Sequence, residues 1–151
     1  MKILSYDPLR AGRFLLAALL AASTLALADA RPRVATLKVG PHPLKVEVMA
    51  KPEELARGLM HREKLGRDDG MLFIFDGPAY HSMWMKNTLI PLSVAFVDAE
   101  GTILNILDME PQTEDTHMSA GPSVYAIETN KGWFAAKKVK AGDKVTGIPK
   151  K

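Results

Sequence analysis

The chain contains no cysteine. That excludes disulfides, thiol nucleophiles, zinc–thiolate sites and a lipid-modified cysteine anchor. No apolar run reaches the roughly 20 residues that a transmembrane helix needs. The longest, Phe14 to Ala28, stops at about 15 and is interrupted by Ser23 and Thr24. Charge of one sign is also scarce. The formal net charge is +3, too small to support nucleic-acid binding. Catalytic templates are missing as well. None of His42, His61, His81 and His117 sits in an H-E-x-x-H pattern, and no glycine-rich phosphate loop is present. The segment Gly121-Pro122-Ser123-Val124-Tyr125 lacks the second glycine of a nucleophile elbow.

What is present begins with targeting. Lys2, Arg10 and Arg13 precede the apolar stretch, and small residues at Ala26/Ala28 or Ala28/Ala30 follow it. This is the pattern of a secretory signal peptide over residues 1–30, with no adjacent arginine pair for twin-arginine export. Cleavage before Asp29 or Arg31 makes the mature protein periplasmic or secreted. Removing residues 1–30 takes three Lys/Arg and two Asp/Glu with it and leaves a net charge of +2. Residues 31–151 suffice for one domain with its own core. Lys137, Lys138, Lys140, Lys144, Lys150 and Lys151 gather near the C-terminus. They read as a solvated face, with anionic lipid headgroups as the alternative.

Local patterns predict many short strands. Val34–Val39 and Leu44–Met49 flank Gly40, Pro41 and Pro43. Pro52 opens a short helix with Glu53 and Glu54 in its first turn, Leu55 and Leu59 toward the core, and Gly58 near its end. Met71–Phe75 and His81–Met85 read as strands. Leu92–Val97 and Thr102–Met109 form a hairpin around Asp98-Ala99-Glu100-Gly101. Ser123–Thr129 is another strand, Lys131–Lys138 a second helix carrying Trp133 and Phe134, and Lys144–Ile148 a last strand. The expected fold is α+β and mainly β: a compact, single-domain, barrel-like antiparallel sheet with two short helices.

The middle of the chain carries a distinctive series. It runs Arg57-Gly58-Leu59-Met60-His61-Arg62, Gly70-Met71-Leu72-Phe73-Ile74-Phe75, Trp84-Met85-Lys86-Asn87-Thr88, Pro91-Leu92, Phe96-Val97-Asp98, Ala126-Ile127-Glu128 and Gly142-Asp143. In that order these residues resemble the domain of unknown function 192 family over roughly residues 45–148. The resemblance implies a small β-rich fold, often behind a signal peptide, and carries no established activity. Two positions depart from the pattern: Met83 stands where an aromatic is common, and Ser93 where an aspartate is common.

Three groups of residues are candidates for chemistry. The polar stretch Lys86-Asn87-Thr88 follows Trp84 at a strand end, and strand alternation places Trp84, Lys86 and Thr88 on one face. A flat apolar wall beside directed donors suits a small polar ligand, while turn chemistry explains Asn87 and Thr88 equally well. Arg57, Arg62 and Glu128 form the second group. A half-buried carboxylate needs a partner, and the pairing reads either as a structural ion pair or as an anion or acid–base site. His81, Met83 and Met85 alternate as one strand face would, which suits cuprous copper, or plain core packing. Glu114, Asp115, His117 and Met118, in the polar loop from Glu110 to Pro122, could add ligands to that site.

The leading expectation is an exported binding or interaction module with no cofactor, taking a small polar or anionic ligand or a protein partner. Its candidate residues are Arg57, Arg62, Trp84, Lys86, Asn87, Thr88 and Glu128. The alternatives are a periplasmic copper-handling protein and an enzyme using Glu128 as acid or base.

Overall fold

The computed structural model describes residues 32–151. The expected signal peptide, residues 1–30, lies outside them. The described residues form, in order, β1 (Arg33–Val39), β2 (His42–Met49), α1 (Pro52–Arg57), β3 (Asp69–Ala79), β4 (Ser82–Met83), β5 (Leu92–Val97), β6 (Ile103–Met109), β7 (His117–Met118), β8 (Ser123–Asn130), α2 (Trp133–Ala136) and β9 (Val145–Thr146). Seven strands make one sheet in the order β6-β5-β8-β3-β2-β1-β9, and β4 pairs with β7 in a separate ribbon. Among the described residues no helix is long and apolar enough to cross a membrane.

The turns form where local chemistry demands them. Asp98 Oδ1 accepts from the backbone N–H groups of Glu100 (3.0 Å) and Thr102 (2.7 Å), which folds the β5–β6 hairpin. Gly101 follows at φ +79°. A Cβ there would lie 2.5 Å from the Val145 carbonyl oxygen, so only glycine fits. That close approach has an architectural purpose. Val145 N–H donates to the Gly101 carbonyl (2.7 Å), Ile103 N–H to Asp143 (2.9 Å) and Gly142 N–H to Ile103 (2.8 Å). A bridge between Thr102 and Lys144 joins the two outer strands of the sheet at this end. The sheet is therefore curled into a partly closed barrel.

Both faces of the central strands are covered, which is why β5 is buried at every position and β3 from Gly70 to Ile74. One face collects Leu37, Val46, Leu72, Ala95, Ile103, Ile127 and Val145, with Trp133 and Phe134 of α2. It draws on all seven strands and is the inner face. The other collects Met49, Met71, Phe73, Leu92, Val94, Phe96, Met109 and Ala126, covered by Leu59 and Met85 from outside the sheet. Together these clusters place the core on both sides of β3, β5 and β8.

The expected antiparallel sheet is a mixed one. β2 and β3 run parallel, with Lys45 opposite Asp69 and Met49 opposite Phe73. The reason is the connection: residues 50–68 carry α1 and cross over rather than turn back, and crossovers join parallel strands. Three elements also differ in extent. β3 continues past Phe75, its ladder with β8 breaking after Ile74 and resuming at Ala79 opposite Ser123. The last strand shortens to Val145–Thr146, ending at Gly147 with φ +78°. The helix expected over Lys131–Lys138 is a single turn, Trp133–Ala136, started by left-handed Gly132.

The lysines near the C-terminus are mostly engaged. Lys137 pairs with Asp68 (3.2 Å), Lys140 with Asp143 (3.1 Å) and Lys151 with Asp76. Lys144 donates to Thr102 Oγ1 (2.7 Å).

Candidate functional site

α1 ends where its sequence requires. Glu54 accepts from Ala50 and Lys51 N–H groups, both at 3.1 Å, and these bonds hold its carboxyl below the ordinary range. Gly58, at φ +47°, donates to the Glu54 carbonyl at 2.9 Å and terminates the helix. A Cβ on Gly58 would sit 3.2 Å from the Phe73 ring, so the helix end lies directly on β3. The chain then turns through Leu59, whose side chain is buried in the outer cluster.

Opposite this helix end lies the segment 82–88. It was expected as part of a strand over His81–Met85, but only Ser82 and Met83 pair, with Met118 and His117 of β7. After Met83 the backbone leaves the ladder. Thr88 N–H donates to the Met85 carbonyl (3.0 Å), closing a turn with Asn87 at φ +55°. Asparagine tolerates that left-handed geometry, which gives residues 86–88 their turn chemistry. The turn is tied on two sides: His61 N–H donates to the Asn87 carbonyl (2.9 Å), and Gln112 N–H to that of Thr88 (3.0 Å). Strand alternation therefore fails here. Trp84 and Lys86 are exposed, while Thr88 and Met85 are buried. Lys86 lies 5.2 Å from the centre of the Trp84 ring and pairs with Glu114 at 3.4 Å.

Between the helix end and this turn is a cleft of about 170 Å³. Leu55, Leu59, Phe73 and Met83 make its apolar walls, Trp84 and Arg57 lie at its rim, and Ser82 and Thr88 bring hydroxyl groups. Glu128 on β8 also lines it. β8 is the central strand between β3 and β5, and Glu128 stands opposite Met71 on one side and Val94 on the other. Its side chain belongs to the outer face and is 4% exposed. Among the described residues no hydrogen bond or ion pair reaches its carboxyl. Yet among the described residues no fully enclosed side-chain oxygen lacks a partner, so the carboxyl oxygens open onto the cleft. Burial alone pushes the Glu128 carboxyl up to about 8.

The structure thus brings together Arg57, Trp84, Thr88 and Glu128 around one cleft, with Lys86 stacked on the outer side of Trp84. Asn87 shapes the turn. Arg62 goes elsewhere: its guanidinium donates to Glu47 Oε2 at 2.6 Å on β2. Glu47 was missed from the sequence, although alternation along β2 puts it on the same face as Met49. Arg62 and Glu47 line a second, larger groove of about 530 Å³ with Lys45, Lys64 and Asp69.

The residues considered for copper lie in different settings. The His81 ring stacks on Phe75 with centroids 3.7 Å apart, and its Nε2 lies 3.3 Å from the Gly77 carbonyl. Met85 is fully buried in the outer cluster, and Met83 packs partly against it. Met83 stands opposite His117 across the ribbon, and Met118 is exposed. Among the described residues no three His, Asp or Glu side chains are grouped to hold a metal.

Ser93, standing where an aspartate is common, is buried. Its hydroxyl donates to Asp108 Oδ1 across the β5–β6 ladder and accepts from Gly132 N–H at 2.8 Å. The carboxylate is present after all, but on the neighbouring strand.

The model of a family described as an uncharacterized ACR, the domain of unknown function 192, matches residues 35–147. Two solved structures are similar. One, from Sinorhizobium meliloti, is described as a candidate transcription regulator; it is 32% identical, with a TM-score of 0.76, over 79% of this chain and 97% of that one. The other, a protein of unknown function from Novosphingobium aromaticivorans, is 32% identical with a TM-score of 0.75, over 79% of this chain and 89% of that one. Among curated proteins none matches the chain.

Proposed function

The chain belongs to the domain of unknown function 192 family, and from that premise we propose that it is a small-molecule binding module whose site is the cleft holding Glu128. One observation carries this reading. A carboxyl buried to 4% exposure, with no partner among the described residues, faces a cleft lined mostly by apolar side chains. Removing such a group from water without a hydrogen bond costs free energy that the fold alone does not recover. A bound polar group at the cleft would supply the missing partner. The exposed Trp84 at the rim offers a flat apolar wall, and Ser82 and Thr88 add hydroxyls for orientation.

A second reading has its own support. A carboxyl titrating near neutrality is suited to proton transfer, so Glu128 would serve as a general acid or base on whatever occupies the cleft. The two readings share the site and differ in whether the ligand leaves unchanged.

Native mass spectrometry of protein recovered gently from the periplasmic fraction tests the binding reading. An organic adduct of defined mass, retained by wild type and lost from Glu128→Ala, is the expected result. A bare chain in both proteins, under conditions that keep the fold intact, overturns it. Recovery of a chemically altered form of the added ligand after incubation would favour the acid–base reading.

A further inference from the structure

We propose that the cleft selects a small zwitterion, its ammonium group against Glu128 and its carboxylate at Arg57. This rests on the cleft being a binding site, and it names the ligand class. The observation behind it is an acidic and a basic group that line one cleft without pairing. Arg57 and Glu128 line the same cleft, yet neither meets the other. Among the described residues the Arg57 guanidinium also has no ion pair elsewhere, whereas Arg62, five residues on, is held by Glu47. The acidic group is deep and the basic group is at the exposed rim. Leu59, Phe73 and Met83 add apolar lining to the same cleft. A ligand charged at both ends would satisfy both residues at once. A purely anionic ligand would leave the deep carboxyl without a counter-charge.

The other charged groups near the cleft are already spoken for. Lys86 beside Trp84 pairs with Glu114. Glu47, in the same cross-strand row as Glu128, is neutralised by Arg62. Beside Glu128, β3 and β5 place Met71, Phe73, Leu92, Val94 and Phe96 on this face. The volume, about 170 Å³, compares with the roughly 150 Å³ that holds a benzene. A ligand of roughly six to nine non-hydrogen atoms fits, the size of a short aliphatic amino acid.

An ammonium favours the ionised form of Glu128, and burial in the empty cleft favours the protonated form. Binding below about pH 8 therefore releases a proton, and affinity rises with pH up to that point. The probes are L-valine, N-acetylvaline, which lacks the ammonium, and valinamide, which lacks the carboxylate. Calorimetry would be run at pH 6 and pH 7 in buffers of different ionisation enthalpy.

The expected result is valine binding at least about tenfold more tightly than either analogue, with proton release and about a tenfold gain per pH unit. Glu128→Gln should remove the pH dependence and the proton release. Arg57→Ala, at an exposed position, should reduce valine to the level of valinamide. N-acetylvaline binding as tightly as valine, or proton uptake on binding, overturns the zwitterion. So does the absence of valine binding. If the mass-spectrometric adduct persists while valine fails, the ligand class is wrong and the site stands. If the adduct is absent too, both readings fall.

Discussion

Glu47 and Glu128 lie in one row across the outer face of the sheet, separated only by Met71, and they have opposite fates. Glu47 stands opposite Met71 in the β2–β3 ladder, and Glu128 opposite the same methionine in the β3–β8 ladder. The first is held by Arg62 at 2.6 Å near solvent. The second, two strands further in, is buried and alone. Position in the sheet, rather than residue type, decides which carboxylate has a counter-ion.

The lone carboxyl should make stability depend on pH in an unusual direction. Its folded value is about 8 against an ordinary 4.5. Between those values the unfolded chain is ionised at this residue while the folded protein retains the proton. Stability then falls as pH rises, by about 1.4 kcal/mol per pH unit from this group, and levels off above pH 8. Urea denaturation of wild type and Glu128→Gln should give similar stabilities near pH 4.5. The variant should gain by up to a few kcal/mol toward pH 8. Parallel curves across that range would mean that Glu128 is not buried without a partner.

The Glu47–Arg62 pair should matter little to stability. Its side chains are 23% and 43% exposed, and such pairs contribute at most about 1 kcal/mol. Arg62→Ala should therefore lower stability by less than that, and the difference should shrink in high salt. A loss of several kcal/mol would show that Arg62 is coupled to Glu128 after all.

Gly70 should tolerate no side chain. A Cβ on it would come within 2.6 Å of the Glu128 carbonyl oxygen, a backbone atom of a central strand. Gly70→Ala should cost about 1–3 kcal/mol, the range for overpacking a well-filled core. It should also displace Glu128, so thermal melts and ligand titrations on the same variant should fall together.

Trp84 and Met85 are adjacent in sequence and should separate cleanly on mutation. Met85 is 0% exposed and Trp84 is 48% exposed. Met85→Ala should cost roughly 2–5 kcal/mol as a cavity in the core. Trp84→Ala should leave the melting temperature within a few degrees of wild type and weaken ligand binding instead. If Trp84→Ala also unfolds the domain, its ring is structural.

Much of the fold was legible because local chemistry and tertiary packing agree. Asp98 and Gly101 announce the β5–β6 hairpin, and the same residues make the turn. Pro52, Glu54 and Gly58 mark the start, cap and end of α1. The parallel pairing of β2 with β3 depends on where the crossover lands, which no short window of residues encodes. The segment around Trp84 misled for a related reason. The apolar residues up to Met85 suit a strand, but the left-handed turn at Asn87 ends it early. For the site, Glu128 stood out because a carboxylate sits among apolar neighbours. Which arginine would serve it could not be read from spacing, since Arg57 ends the helix and Arg62 lies just beyond it. Arg62 turned to Glu47, a partner on a different strand.

The seam at which Val145 meets Gly101 sets an order of assembly. β9 pairs with β1, more than a hundred residues earlier, and residues 142–145 also bond to residues 101–103. A chain lacking this short segment has two unprotected sheet margins at once, each offering unpaired backbone groups to another molecule. Solubility during folding thus hangs on a few late residues far from the cleft. Lesions there would surface as aggregation, while the ligand site itself stayed chemically complete.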